Sequence, residues 1–279
     1  MDAPALGDPA RIGDWLNSLS VAGRLGLNGR VNTQVLLGQE VLISGHRGEW
    51  SRVEVPEQRG SKYPNGIIGW VPSDQLSSAP PAKGDGEAII GVPSTWLYTV
   101  IRGRVGPRRY TVSYDTELPV EGTAPGYLLL GLPGRQEGAV ADSALDPVPV
   151  GTLSGAAIAS QAKQFLELPY LWAGTSGFGY DCSGLVYALY ARFGLYLPRD
   201  AADQQHAGTP VPLDELAPGD LLFFAGSGGR GPAEHVAIYV GGGRMIDAPY
   251  TGKRVELVPM TSLPVWPDFV GATRIATRA

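Results

Sequence analysis

Glycine and proline cut this chain into short pieces. With 39 Gly and 24 Pro among 279 residues, many brief strands joined by turns are favoured over long helices. From about residue 31 to 150 the texture is β-type runs broken by Gly, Pro, Asn and Asp. Two passages there share a pattern, "GEWSRVEVPEQRGSKYPNGIIGWVPSDQL" (48–76) and "PGYLLLGLPGRQEGAVADSAL" (125–145). Each opens a strand with an aromatic, turns at Leu/Val-Pro, continues with a Gly-led strand and closes on Asp/Ser-x-Leu. The spacing predicts two small β-barrels in tandem, the second degenerate in its aromatics, the first carrying an insertion, "SKYPNGI". "APPAKGDG" (79–86) and "LDPVPVG" (145–151) read as linkers.

Helical periodicity lies elsewhere. "PARIGDWLNSLS" (9–20) predicts a short helix with Ile12, Trp15, Leu16 and Leu19 on one face. After residue 151, "GAAIASQAKQFLEL" (155–168) carries an apolar stripe, "CSGLVYALYARF" ends at Gly194, and "RDAADQQHAG" (199–208) forms a third, short helix behind Asp200. Strands follow: "DLLFFA", "HVAIYV", "RMIDA", "RVELV" and "DFVGATRIA". Helices first and an antiparallel sheet afterwards predict an α+β domain. The expected organisation is residues 1–80 (helix plus first barrel), 85–148 (second barrel) and 151–279 (α+β domain).

A net charge of −5 gives no basic footprint, which argues against nucleic acid or an anionic membrane as partner. No apolar run is long enough to insert in a bilayer, and the N-terminal residues lack a basic segment followed by an apolar stretch. The expectation is a cytoplasmic monomer; a secreted chain cloned without its leader would look the same. One cysteine excludes an internal disulfide. With three scattered histidines and no HxxxH or CxxC spacing, no metal or other cofactor is expected.

That single cysteine, Cys182, falls where a helix should begin, after the Gly-rich "GTSGFGYD". Unpaired N–H groups and the positive end of the helix dipole there favour a thiolate and could cradle an oxyanion. A thiolate nucleophile also needs a base, and the base an orienting group. His46 lies in a "SGHRGEW" turn and His206 in the last turn of a short helix, which leaves His235 at the head of "HVAIYVGGGRMIDAP". With a loop of Gly241 to Gly243, Val240 pairs with Arg244, Ile238 with Ile246, and Asp247 falls on the face of His235, one diagonal step away. A two-residue loop would turn Asp247 away.

"LPYLWAGTSGFGYDCSGLV" (168–186), "LPRDAADQQ" (197–205), "APGDLLFF" (217–224) and "EHVAIYVGGGRMIDAP" (234–249) together resemble the NlpC-type cell-wall endopeptidases, papain-like cysteine peptidases that cut peptidoglycan stem peptides. The paired barrels resemble the bacterial SH3-like domains preceding this domain in γ-D-glutamyl-L-diamino-acid endopeptidases. The resemblance implies Cys182 as nucleophile, His235 as general base and Asp247 in the third position, where the family usually has a histidine ("FIHA" against "MIDA" here). Ala173 stands where the family commonly has the first of two glycines, an added methyl that would narrow the site. The resemblance implies that Asp200 holds the free amine of the substrate's N-terminal L-Ala and that Tyr63, in the insertion, closes that end. Asp181 and Ser183 are implied to shape the γ-D-Glu subsite, with Trp172 and Arg199 also substrate-binding. The implied partner is a stem peptide, L-Ala-γ-D-Glu-diamino acid, already released from glycan; the competing readings are a weakened peptide-binding protein and a papain-like amidase or acyltransferase.

Overall fold

The computed structural model describes residues 3–145, 153–261 and 266–276. Three short helices open it: α1 (Ala3–Leu6), α2 (Ile12–Ser18) and α3 (Val21–Leu25). The stripe expected on α2 is real. Trp15 and Leu16 are buried with Leu27 against Leu171, far along the chain.

The next part is sheet. Strands β1 (Leu42–Arg47), β2 (Trp50–Val55) and β3 (Ile67–Pro72) form a three-stranded antiparallel sheet. Six more, β4 (Glu87–Ile89), β5 (Ser94–Ile101), β6 (Arg104–Ser113), β7 (Glu117–Ala124), β8 (Tyr127–Leu132) and β9 (Gln136–Ala141), form a second sheet in the order β4-β7-β8-β9-β5-β6. The two similar passages fold alike: β2 and β3 end in a 3-10 turn at Ser73–Gln75, and β8 and β9 end in one at Asp142–Ala144. The insertion falls between β2 and β3. Residues 79–84 of the first linker hold no strand; most of the second lies outside the described residues, and its Leu145 bridges to Ile90.

The last part begins with helix α4 (Gly155–Ala162), capped by Ser154, whose side chain accepts from Ala157 N at 3.1 Å. The predicted helix over 155–168 stops early, continuing only as a 3-10 turn at Lys163–Phe165. Tertiary pairing wins over local propensity: Glu167 turns left-handed (φ 68°), its N–H bonds Val255 O at 2.9 Å, and Tyr170 N–H bonds Lys253 O at 3.0 Å. A small β10 (Thr175–Ser176)–β11 (Gly179–Tyr180) pair then leads into α5 (Cys182–Ala191). The helix predicted over 199–208 shrinks to α6 (Ala201–Gln204), because Thr209 onward joins a sheet strand.

That sheet has six strands: β12 (Thr209–Val211), β13 (Leu221–Phe224), β14 (His235–Gly241), β15 (Arg244–Asp247), β16 (Glu256–Pro259) and β17 (Phe269–Arg274), with a short α7 (Gly226–Gly229) after β13. The order is β12-β17-β13-β14-β15-β16, antiparallel throughout. Strand β13 is covered on both faces, so it reads as a continuous apolar run rather than an alternation. Leu221 and Phe223 join the core under α4 and α5, while Leu222 and Phe224 join Met245 and Met260. Among the described residues no helix is long and apolar enough to cross a membrane.

Candidate active site

Asp181 starts α5. Its backbone is extended (φ −87°, ψ 178°) and its Oδ1 accepts from Gly184 N at 2.7 Å, so Cys182 is the first helical residue. Gly184 is required by close approach, since a Cβ there would lie 2.0 Å from Gly174 O. The loop before the helix is thereby pressed against its first turn. Ala173 in that loop is buried and left-handed (φ 62°), the region that favours glycine. What this alanine brings is therefore backbone strain as well as the expected methyl.

His235 is the first residue of β14 and Asp247 the last of β15. Ile238 pairs with Ile246 as predicted, but Val240 does not pair with Arg244. Gly241 takes that place, a bulge lies between Tyr239 and Gly241, and the turn is the two residues Gly242 and Gly243 at φ 60° and 69°. A two-residue turn alone would have inverted Asp247. The bulge absorbs one residue and restores the phase. His235 Nε2 donates to Asp247 Oδ1 at 2.6 Å, with side chains 16% and 1% exposed. Because Nε2 is taken, Nδ1 is the nitrogen left for the Cys182 sulfur. Burial works against charge on the ring, yet Cys182 first and Asp247 second hold His235 well above the usual histidine range. The other histidines stand apart: His46 is exposed in β1, its Nδ1 3.0 Å from Ser51 Oγ, and His206 is exposed beyond α6.

Beneath the thiol lies a buried polar network. Arg199 Nη2 donates to Asp181 Oδ2 at 2.7 Å and its Nη1 to Ser183 Oγ at 2.9 Å. Ser183 Oγ sits 3.4 Å from Asp181 Oδ1, and Gln204 Nε2 donates to the carbonyls of Ser183 (3.0 Å) and Pro198 (2.8 Å). The structure thus places Asp181, Ser183 and Arg199 together, bonded to one another under α5. Trp172 is 38% exposed on the loop before it, its Nε1 donating to Val31 O at 3.2 Å.

Asp200 is exposed at the head of α6, and its side chain makes no capping bond there. The insertion docks beside it. Arg199 N donates to Arg59 O at 2.7 Å, Ser61 N donates to Asp203 Oδ2 at 2.7 Å, and Tyr63 N and O both bond Gly60. Tyr63 is half-buried on this loop.

Sequence reasoning missed several positions. Gln34 inserts into the loop before α5: its Oε1 accepts from Thr175 N and Ser176 Oγ, both at 3.0 Å, and its carbonyl accepts from Gln58 Nε2 at 2.7 Å. Tyr170 lies buried beside the thiol; burial, then Cys182 and Asp181, push its hydroxyl up. Gln204 and Asp203 were hidden in a helix read only for its cap. A polar Gln between β-type runs carries no periodicity that would have flagged Gln34.

Residues 167–274 match the NlpC/P60 family. Over 254 residues, 90% of this chain and 83% of the relative, the sequence is 41% identical to a gamma-D-glutamyl-L-lysine dipeptidyl-peptidase of Bacillus subtilis (strain 168). A protein of the same name from Bacillus cereus (strain ATCC 10987 / NRS 248) is 34% identical over 98% of this chain and 84% of its own. The crystal structure of an NlpC/P60 family protein from Bacillus cereus ATCC 10987 superposes with a TM-score of 0.88 at 31% identity, covering 98% of this chain and 92% of that one. With a thiol, an imidazole and a carboxylate gathered at the head of α5 and relatives alike along nearly the whole chain, this chain belongs to the NlpC/P60 family.

Proposed function

We propose that this chain is a cysteine endopeptidase that hydrolyses the γ-D-glutamyl–L-diamino acid bond of peptidoglycan stem peptides bearing a free N-terminal L-Ala. The observation that carries the reading is the chain's one thiol at the start of α5, facing a histidine whose far nitrogen is held by a buried carboxylate. Cys182 is the nucleophile, His235 the base and acid, and Asp247 orients the ring. The thiolate attacks the γ-carbonyl of D-Glu, and the N–H of Cys182 stabilises the oxyanion. His235 protonates the leaving amine of the diamino acid, and water, deprotonated by His235, then hydrolyses the thioester to release L-Ala-D-Glu.

The amine end of the substrate lies at Asp200, whose carboxylate is exposed and unbonded by its own helix, with Tyr63 brought near on the insertion. Asp181, Ser183 and Arg199 act from beneath by fixing the first turn of α5, and Trp172 walls the entrance. We read the organisation as the units 1–80, 85–148 and 151–279, the first two as SH3-like domains closing one end of a papain-like site. A free-amine requirement would suit peptides already cut from glycan, which is recycling chemistry in the cytoplasm. The pairing of His235 with buried Asp247 supports turnover over a merely peptide-binding protein.

The test is mass-spectrometric product analysis of L-Ala-γ-D-Glu-Lys and its diaminopimelate analogue, free and N-acetylated, beside Cys182→Ala. Cleavage of free peptides alone, abolished in the variant, is the expected result. Cleavage of acetylated peptides as well would remove the amine anchor, and no cleavage of any would overturn the activity.

A further inference from the structure

Asp203 stands in the first turn of the short helix α6, where a carboxylate ordinarily does no more than favour the helix dipole. This one is engaged elsewhere. Its Oδ2 accepts from the backbone N–H of Ser61 at 2.7 Å, 142 positions back along the chain. Just ahead of the helix, Arg199 N donates to Arg59 O, also at 2.7 Å. The insertion is thus held at two points, on either side of Asp200 in sequence. Gly60 lies between them, so close to the carboxylate that a Cβ there would stand 2.8 Å from Asp203 Oδ2. A hydrogen bond to an ionised acceptor is stronger than one between neutral groups, so the Asp203 contact is the firmer of the two.

The loop passes this placement on to Tyr63. Gly60 N donates to Tyr63 O at 3.2 Å, and Tyr63 N returns a bond to Gly60 O at 3.0 Å. Gly66 N donates to Tyr63 O at 3.2 Å, and Arg59 Nε to Pro56 O at 2.7 Å. Ile67 N closes the loop on Gln58 O at 2.8 Å. The insertion is therefore bonded within itself, and where Ser61 is held, Tyr63 follows. Loss of the Asp203 contact would leave the loop tip to the Arg199–Arg59 bond, and surface segments with few contacts open at low cost.

Asp200 and Asp203 share one turn of α6: Asp203 N and Gln204 N both donate to Asp200 O, at 3.1 and 3.0 Å. The hold on Ser61 therefore also sets the spacing between Asp200 and Tyr63. We propose that Asp203 is the positioning residue for the free-amine preference. It fastens the insertion to α6 and so keeps Tyr63 at the end of the site where an N-acyl group would have to fit. This role rests on the endopeptidase reading proposed above; Asp203 acts through Tyr63 and not on the reacting bond.

The test compares the parent, Asp203→Ala and Asp203→Asn on L-Ala-γ-D-Glu-Lys, free and N-acetylated. Trypsin nicking after Arg59 and Lys62, read by mass spectrometry, reports on the loop independently of activity. In Asp203→Ala the KM for free peptide should rise about tenfold with kcat nearly unchanged, and the free-over-acetylated preference in kcat/KM should fall by about the same factor. Nicking should quicken several-fold, and Cys182 should react with iodoacetamide as in the parent. Asp203→Asn, whose amide oxygen can still accept from Ser61 N, should recover part of all the losses. In folded Asp203→Ala, an unchanged preference or unchanged nicking would overturn the role and leave the peptidase standing, as would no recovery in Asp203→Asn. Loss of kcat on both peptides, or slowed alkylation, would make the effect structural and overturn it too. A parent that cleaves both peptides alike would remove the preference itself. A parent that cleaves neither would overturn the endopeptidase reading, and this role with it.

Discussion

The ring of His235 is held between two groups of opposite chemistry, a sulfur on its Nδ1 side and a carboxylate 2.6 Å from its Nε2. Asp247 is 1% exposed, so its charge acts on the ring with little screening by water. An aspartate in this position gives the imidazolium firmer support than a neutral ring could. Asp247→Asn should keep the ring's orientation, because an amide oxygen can still accept from Nε2, but remove the charge. We expect kcat/KM to fall roughly tenfold, about 1.4 kcal/mol of transition-state support. The basic limb of its pH profile should move to lower pH, since the protonated ring is less stabilised. The folded-state value of His235 is raised, so its contribution to stability is full below the unfolded value near 6.5 and is lost as pH rises through the raised one. Urea midpoints measured across that window should fall more steeply for the parent than for the variant. His235 itself was legible in the sequence, since His46 and His206 sit in settings that need no catalytic reading.

Helix α5 depends on what lies under its first turn. Asp181 both caps the helix through Gly184 and pairs with Arg199, which is 3% exposed. Asp181→Ala would remove the cap and leave a buried guanidinium without its carboxylate. A loss of ~3–5 kcal/mol is expected from the unpaired charge alone, read from urea denaturation; Asp181→Asn, which keeps an acceptor for Gly184 N, should lose less. The helix and its start were readable from the Asp-Cys-Ser-Gly sequence because capping is local. The partner was not: Arg199 lies 18 residues away, and nothing in "LPRDAADQQ" says that the arginine turns inward while the aspartate beside it stays exposed. The β14–β15 hairpin teaches a related lesson. Its apolar alternation disclosed the Ile238–Ile246 pair, whereas the bulge that preserves the phase depends on three consecutive glycines at positive φ and leaves no trace in hydrophobicity.

Side chains of the β-rich first half bond directly to the active-site half. Gln34 bonds Thr175 and Ser176, Ser113 Oγ accepts from Gly177 N at 2.8 Å, and Tyr114, Phe165 and Tyr180 stack edge to face with centroids 5.0 Å apart. Gly177 must be glycine, since a Cβ there would lie 1.7 Å from Pro93 O. Gln34→Ala should loosen the loop that leads into α5 and, through Gln58, the β2–β3 connection that carries Tyr63. We expect KM for the free peptide to rise about fivefold per lost hydrogen bond of ~1 kcal/mol. The rate of Cys182 alkylation by iodoacetamide should change little, which separates positioning from thiol chemistry. The tandem similarity of 48–76 and 125–145 led to matching hairpin-and-turn units, yet the strand order β4-β7-β8-β9-β5-β6 was not readable from it.

Local chemistry written into the chain was enough for the helix that starts at Cys182, the Ile238–Ile246 pair that sets His235 and Asp247 on one face, and the alternation of short strands. These depend on neighbours within a few residues: caps, turns and periodicity act over that range. Where α4 ends, which way Arg199 turns, how Gln34 enters the loop and how Asp203 takes hold of the insertion were settled by contacts between residues tens to more than a hundred positions apart. Such contacts leave no period in the sequence, because each is a single meeting of two surfaces and its energy exists only once the chain has brought them together.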